Sequence, residues 1–439
     1  MNTRIFLLFG ILFLSLLLPG TALAADQSEG IDTGDTAWML VASAFVLLMT
    51  PGLAFFYGGL VRRKNILSVL MQCFMCMCLM TILWVLVGYS LAFGDDMLGG
   101  LMGNFKYVGL KGVGYEARGT IPHVLFMMFQ GMFAIITPAL ILGAFAERMK
   151  FGAFCLFMAL WLLLVYCPVC HWVWGGAKGF FGLGGKGALD FAGGTVVHIN
   201  AGVAALAAAF VLGKRQGYPD KISPPHNLPF AALGAALLWF GWFGFNAGSA
   251  LASNASAANA FVGTHVATAT AGLTWAIIDR IFTGKATMLG MITGAVAGLV
   301  AITPACGYVT PMGAIGVGFG ASVCAYFAIA VIKKRIGYDD SLDVFGVHGV
   351  AGMWGAVAAG LWATSVVPGN DTNGLFYGNP SQVGIQVQAV IYTTIYSFVI
   401  SFVLLKIIDV IVGVRTDENS ERMGLDLTDH AENAYTILE

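Results

Sequence analysis

Asp190 and His198 stand eight residues apart in a run that is otherwise apolar and glycine-rich, Asp190-Phe-Ala-Gly-Gly-Thr-Val-Val-His198-Ile-Asn-Ala-Gly202. The same step recurs at Asp340-Ser-Leu-Asp343-Val-Phe-Gly-Val-His348-Gly-Val-Ala351-Gly352, with a shared Val-His-x-x-Ala-Gly core. A carboxylate at the centre of an apolar helix costs roughly 2.5–3.5 kcal/mol on insertion scales, so ionisable groups in such runs usually face a cavity or a pathway. Imidazole both donates and accepts, and the first proton on a close pair discourages the second. Two facing rings can therefore pass protons or hold a small hydrogen-bonding molecule. With no phosphate loop or carboxylate pair beside them, they are poorly suited to a large anion. Two unrelated core histidines are the competing reading, and the matched local context argues against it. Asp190 is also a candidate helix N-cap, accepting from the amides of Ala192 or Gly193, and a carboxylate held that way stays ionised and favours a cation nearby.

The elements that must carry these residues are lipid-length. Of 439 residues, 58% are hydrophobic and 10% charged, which is the composition of a polytopic membrane protein, and a net charge of −1 gives nucleic acid no electrostatic purchase. Residues 1–24 hold Arg4, an apolar run from Ile5 to Leu18 and a closing Ala22-Leu23-Ala24, the pattern of a signal peptide cut after Ala24, with a retained first helix as the alternative. Residues 25–412 then form the membrane domain, and 413–439 a tail. Hydropathy predicts eleven segments, near 36–58, 66–93, 122–146, 152–174, 191–213, 228–250, 257–282, 286–303, 312–332, 344–366 and 386–412. With the N-terminus outside, the inner connections hold Arg62, Arg63, Lys64, Arg148, Lys150, Lys214, Arg215, Lys221, Arg280, Lys285, Lys333, Lys334 and Arg335, thirteen cations. The outer ones hold five, Lys106, Lys111, Arg118, Lys178 and Lys186, so the positive-inside rule predicts N-out and C-in.

Eleven spans divide into five, five and one, and an odd number per half places the halves in opposite orientations. Repeat one covers about 36–213, repeat two about 228–366, and the last helix about 386–412. Ile136-Thr-Pro-Ala139 in the third span and Ile302-Thr-Pro-Ala305 in the eighth match in the same sense. Antiparallel halves predict that the two imidazoles meet near mid-membrane. Eight residues of helix place His198 about 12 Å deeper than Asp190. Each histidine has Ala at i+3 and Gly at i+4, so the two small faces can approach closely.

Phe129 and Phe133 lie four residues apart on one face of the third span, and Trp174 ends the fourth. Membrane aromatics are mostly packing or interface belt, although a cation over an aromatic ring is a recognised binding mode. Cys167-Pro-Val-Cys170 has the spacing of a redox or metal pair but no further Cys or His ligands, so the eight cysteines read as small core residues and no metal or cofactor is expected. His123 and His265, near predicted outer segments, read as structural.

Asp190 to Asn200, Phe243-Gly-Phe245-Asn-Ala-Gly-Ser249, Asp343-Val-Phe-Gly-Val-His348-Gly and Phe56-Tyr-Gly-Gly-Leu-Val61 together resemble the Amt ammonium transporters over essentially the whole mature chain. The resemblance implies an all-α homotrimer with eleven spans and one pore per protomer, in the bacterial inner membrane. It places Phe129, Trp174 and Ser249 at an outer recruitment site for ammonium or methylammonium. Phe133 and Phe245 match the stacked rings that close the pore, His198 and His348 the twin-histidine pair, and Asp190 the acid that supports deprotonation. It also implies that ammonia crosses the pore while the proton follows separately, with net charge movement. The tail from Gly413 through Tyr435 resembles the family's cytoplasmic region, which couples to PII-type regulators, with Ala431 where Gly is common. Composition alone would make that tail a polar terminus open to disorder. An ammonium sensor would carry an output domain, for which the tail is short. An intramembrane enzyme would need a nucleophile or metal set. A passive, Rh-like gas channel is the nearest alternative, and the Trp174 and Ser249 match disfavours it.

Overall fold

A computed structural model describes residues 29–176, 178–179, 182–221 and 223–435, so the signal-peptide segment 1–24 lies outside the described residues. Each of the eleven apolar segments is helical: α1 Thr33–Leu60, α2 Arg63–Phe93, α3 His123–Phe145, α4 Phe151–Trp174, α5 Gly194–Leu212, α6 Leu228–Ala250, α7 Ala255–Thr283, α8 Met288–Ile302, α9 Pro311–Ile336, α10 and α11 Ser381–Val412. α10 is a π-helical turn, Phe345–Val350, running into Ala351–Trp362. Among the described residues nine of these helices are long and apolar enough to cross a membrane, and α8, with 15 residues, is a shorter apolar helix.

Burial sorts centre from periphery. In the most apolar window of α3, 89% of residues are buried, and in α5 83%, against 33% for α9 and 28% for α11. The reason for the last value is visible in sequence. Ile391, Ile395, Val399, Val403 and Ile407 recur every four residues on one exposed face of α11, while Gln386, Thr393, Ser397 and Ser401 on the other face are buried. An exposed branched-aliphatic stripe suits hydrocarbon, and the buried polar row finds partners inside: Ser397 Oγ donates to Asn200 O at 2.7 Å, and Trp161 Nε1 donates to Ser401 Oγ at 3.0 Å.

Successive connections meet alternately on two faces. On one, Arg62 pairs with Glu147 at 2.9 Å and Arg215 with Asp339 at 2.8 Å. Burial pushes the Asp339 carboxyl up, but the Arg215 guanidinium more than offsets this and holds it below the usual carboxylate range. On the far face, two minimal hairpins, Asp96–Met97 with Met102–Gly103 and Ala117–Arg118 with Ile121–Pro122, lie in the long α2–α3 connection.

The chain after α11 is ordered, against the compositional expectation. It forms α12, Glu418–Met423, and α13, Leu425–His430, and it is held by helix capping. Asn65 Oδ1 accepts from Leu425 N at the start of α13, while Asp426 Oδ1 accepts from Ser68 N in α2, both at 2.8 Å. Asp429 Oδ2 accepts from Phe151 N at the start of α4, at 3.2 Å. The tail thus satisfies amides that the membrane helices leave open. Glu421, fully buried, pairs with Arg415 at 2.8 Å.

Ala431 ends α13 at φ 56° and ψ 34°, with Ala431 N donating to Leu427 O and Glu432 N to Asp426 O. This left-handed C-cap explains why Gly suits the position, since a side chain there costs roughly 1–2 kcal/mol. Ala431→Gly is expected to firm the tail: amide exchange over residues 425–432 should slow about fivefold, matching about 1 kcal/mol, and unaltered exchange would remove the strain assignment.

Candidate functional site

Asp190 does more than the single cap its position suggests. Its Oδ1 accepts from Gly193 N at 2.9 Å and Gly194 N at 2.6 Å, and its Oδ2 from Thr195 N at 2.9 Å and Val196 N at 3.1 Å. Four open amides at the start of α5 thereby share one carboxylate; the amide of Ala192, one of the two expected donors, is not among them. Gly193 sits at φ 115°, a conformation that side chains rarely adopt, and it turns the chain from Asp190 into the helix. The helical path therefore begins at Gly194, so only the second half of the step from Asp190 to His198 is helical. The preceding residue is pinned from α11: Leu189 N donates to Gln386 Oε1 at 2.6 Å, and Gln386 Nε2 donates to Leu189 O at 2.8 Å.

The second copy repeats the backbone and relaxes the capping. Asp343, the counterpart of Gly193, has φ 59°, and a π-helical turn follows in both copies. Asp340 Oδ2 accepts from Phe345 N at 2.7 Å, while its Oδ1 is buried without a hydrogen-bond partner among the described residues. Lys333 Nζ bonds the Asp340 carbonyl and the Asp343 carboxylate, each at 2.6 Å.

The two turns deliver the imidazoles to each other. His198 Nδ1 and His348 Nδ1 are 3.3 Å apart, with ring centroids at 5.4 Å and planes 23° apart; both side chains are buried. The small faces behind them make this possible. A Cβ at Gly202 would run into the backbone of Gly349, and one at Gly352 would sit 3.2 Å from His198 Cβ. A neutral pair needs a hydrogen on one of the facing Nδ1 atoms and none on the other. The ring that donates then has an accepting Nε2, and its partner has a donating one. Exchanging these roles with both rings neutral takes two hydrogens, the shared one passing between the Nδ1 atoms and another leaving one Nε2 as its counterpart gains one. His198 Nε2 is buried and has no hydrogen-bond partner among the described residues.

Aromatic rings continue the line towards the far face. Phe245 lies 5.9 Å from His198, Phe133 lies 4.4 Å from Phe245, and Phe129 and Trp174 lie 5.0 Å and 5.7 Å from Phe133. Phe133 and Phe245 are inclined at 47°, so the pair expected to stack is tilted instead. Trp174 Nε1 donates to Asp190 O at 2.9 Å, tying the last ring to the capping acid. Ser249 Oγ donates to Phe245 O at 2.8 Å, which spends its hydrogen and leaves its oxygen free to accept. Phe129 is fully buried, because the backbone at Gly248 packs on its ring, while Trp174 and Ser249 are partly exposed. The ring contacts thus join Trp174 to Phe133, and Phe129 lies behind.

Trp242 is a site residue that sequence reasoning missed. Its ring stacks on His198 at 5.3 Å and 20°, and its Nε1 donates to Thr303 Oγ1 at 2.8 Å. The signal was present in the spacing of Trp242 and Phe245 and in the Ile-Thr-Pro-Ala match that contains Thr303. Trp242, Phe245 and both histidines line a slot of about 10 Å³ with Leu53 and Val296, room for no more than one small molecule. Beyond His348 and Phe56 the path widens into a cavity of about 340 Å³ on the tail face. His123 is held by Tyr89 and Glu116, at 2.7 Å and 2.9 Å, and His265 packs on Trp239; neither lines the slot.

Asp190→Ala would leave four amides without their acceptor, and Asp190→Asn would keep one oxygen. The expected order of thermal stability in detergent is wild type, then Asn, then Ala, with Ala lower by about 3 kcal/mol or more. An alanine variant as stable as wild type would overturn the capping role.

Residues 37–435 match the model of the Ammonium Transporter Family. The chain is 52% identical over 428 residues to an ammonium transporter of Aquifex aeolicus, covering 97% of this chain and 99% of that one. Among solved structures it is similar to Mep2 of Saccharomyces cerevisiae, with TM-score 0.84 and 34% identity over 91% of both chains. It is also similar to a protein described as a sensor Amt protein, with TM-score 0.84 and 29% identity over 92% of this chain and 99% of that one. Identity of this depth across nearly the full length, on a fold that brings His198 and His348 together, shows that the chain belongs to the Ammonium Transporter Family.

Proposed function

We propose that this protein carries ammonium across the bacterial inner membrane, entering from the far face and leaving at the tail face. The observation that carries the reading is the buried Nδ1 to Nδ1 contact of 3.3 Å in a slot sealed by Phe133 and Phe245. Eleven spans in a five, five and one inverted plan, N-out and C-in, place the paired histidines between the halves. Ammonium is recruited by the Trp174 ring and the Ser249 oxygen, with the Phe129 ring behind Phe133 as the deeper member of the set, since rings and a hydroxyl acceptor suit a small N–H cation. Asp190 fixes the vestibule and biases it towards cations. A dry, aromatic-gated slot is a severe barrier to an intact ion. Ammonium therefore gives up its proton at the gate, ammonia passes, and the proton follows over the His198–His348 pair, which moves net charge. The protein works as a homotrimer embedded in lipid, and the docked tail presents the surface that a PII-type regulator would engage. No cofactor or metal takes part.

Ammonium-evoked current from purified protein in a supported membrane tests this reading directly. A neutral-gas channel or a sensor on the same fold would give none. His198→Ala and His348→Ala are expected to change current or ion selectivity at least about tenfold, with expression and assembly retained. Wild-type currents and selectivity in both variants would end the relay proposal.

A double substitution, Phe129→Ala with Trp174→Ala, addresses recruitment. The half-saturating ammonium concentration should rise about tenfold, as expected when ring contacts to a cation are lost. An unchanged concentration dependence would remove these rings from the site.

A further inference from the structure

The tail-face cavity holds a carboxylate that the transport path leaves unused. Asp279, on α7, is 6% exposed and lines the cavity of about 340 Å³ into which the slot opens past His348. Its Oδ2 accepts from Thr287 Oγ1 at 2.6 Å, and among the described residues no Lys, Arg or His pairs with it. The other charges facing the cavity are matched. Arg215 is bonded by Asp339 at 2.8 Å and 2.9 Å, and Asp343 by Lys333 at 2.6 Å. A carboxylate that is buried and unpaired is costly, which makes it a strong site for a cation small enough to enter.

Aromatic faces complete the setting. Trp275, one turn earlier on α7, and Tyr326 on α9 line the same cavity, with ring centroids 5.4 Å apart and planes at 71°. Acid and indole both pack on the bare backbone of Gly290 on α8: a Cβ there would collide with Asp279 Oδ2 and sit 2.8 Å from Trp275 Cδ1. An unpaired acid and two aromatic rings lining one cavity suit a compact cation that donates hydrogen bonds.

We infer that Asp279, Trp275 and Tyr326 form an inner subsite that binds ammonium where it leaves the slot. The inference rests on the transport reading above. It gives the path a cation site at each end, with the uncharged passage between them. Ammonium accumulating on the tail face occupies the inner site and opposes further entry.

The test uses proteoliposomes of one orientation, tail face luminal, with ammonium pulses outside and a graded ammonium load inside. The measured quantity is the luminal concentration that halves the peak current. Asp279→Asn keeps an acceptor for Thr287, and Trp275→Leu keeps the acid. Each is expected to raise that concentration about fivefold or more, the loss of one charge-assisted or ring contact, with the external half-saturating concentration within about twofold of wild type. Should Asp279→Asn fail to assemble, Trp275→Leu decides alone. A conducting wild type whose luminal dependence is shared by every assembled variant overturns the inner site and leaves Asp279 as a brace for the α7–α8 turn. A wild type without current overturns the transport reading, and the inner site with it.

Discussion

A helix that starts inside protein, away from water, must find acceptors for its first amides, and the centre of this molecule is built around one solution. Asp190 takes four of them with two oxygens. In a medium without water each open amide costs several kcal/mol, so the acid is a structural necessity before it is an electrostatic device. Because the helix begins at the cap, the cap also fixes how far along α5 His198 lies. Gln386 secures the residue before the acid, and Trp174 bonds its carbonyl, so the start of α5, the Trp174 ring and His198 share one anchor.

The second copy shows which parts of that solution are obligatory. Positive φ three residues after the acid and a π-helical turn under the histidine occur in both, with Gly193 in one and Asp343 in the other. Dense capping occurs in only one. Asp340 Oδ2 accepts from the Phe345 amide, and a cation, Lys333, is bonded to its carbonyl. What the two halves share is the geometry that aims an imidazole at its mate; what separates them is the setting of each acid, four amides around Asp190 and the Lys333–Asp343 pair beside Asp340. The same capping logic runs through the tail, where Asp426 and Asp429 cap α2 and α4 and Asn65 returns the bond. The tail is therefore physically coupled to the first turns of two membrane helices.

Much of this was legible in the sequence for simple reasons. Lipid-length apolar runs are a one-dimensional property, so eleven helical segments could be placed from composition. An internal match at equal spacing is equally one-dimensional, and it pointed to His198 meeting His348. The aromatic pair at i and i+4 on α3 likewise fixed Phe129 beside Phe133. The four-residue recurrence of branched aliphatics on α11 marked its exposed face. The family likeness then supplied the cargo, which spacing alone could not.

Other features depend on contacts between segments far apart in the chain, and no local pattern encodes those. Trp242 belongs to the site because Thr303, 61 residues away, orients its indole against His198. Phe129 is closed off because the Gly248 backbone lies on it, and the Phe133–Phe245 tilt of 47° joins rings from two helices far apart in the chain. The order of the tail could not be read from its polar composition, because its stability comes from amides on α2 and α4. The sequence by itself determined the helices, their repeat and the residues able to do proton chemistry, since these follow from hydropathy and spacing. Only the tertiary structure decided which rings touch, which acid is matched by a cation and which is left to hold one, since burial and pairing are properties of the packed whole.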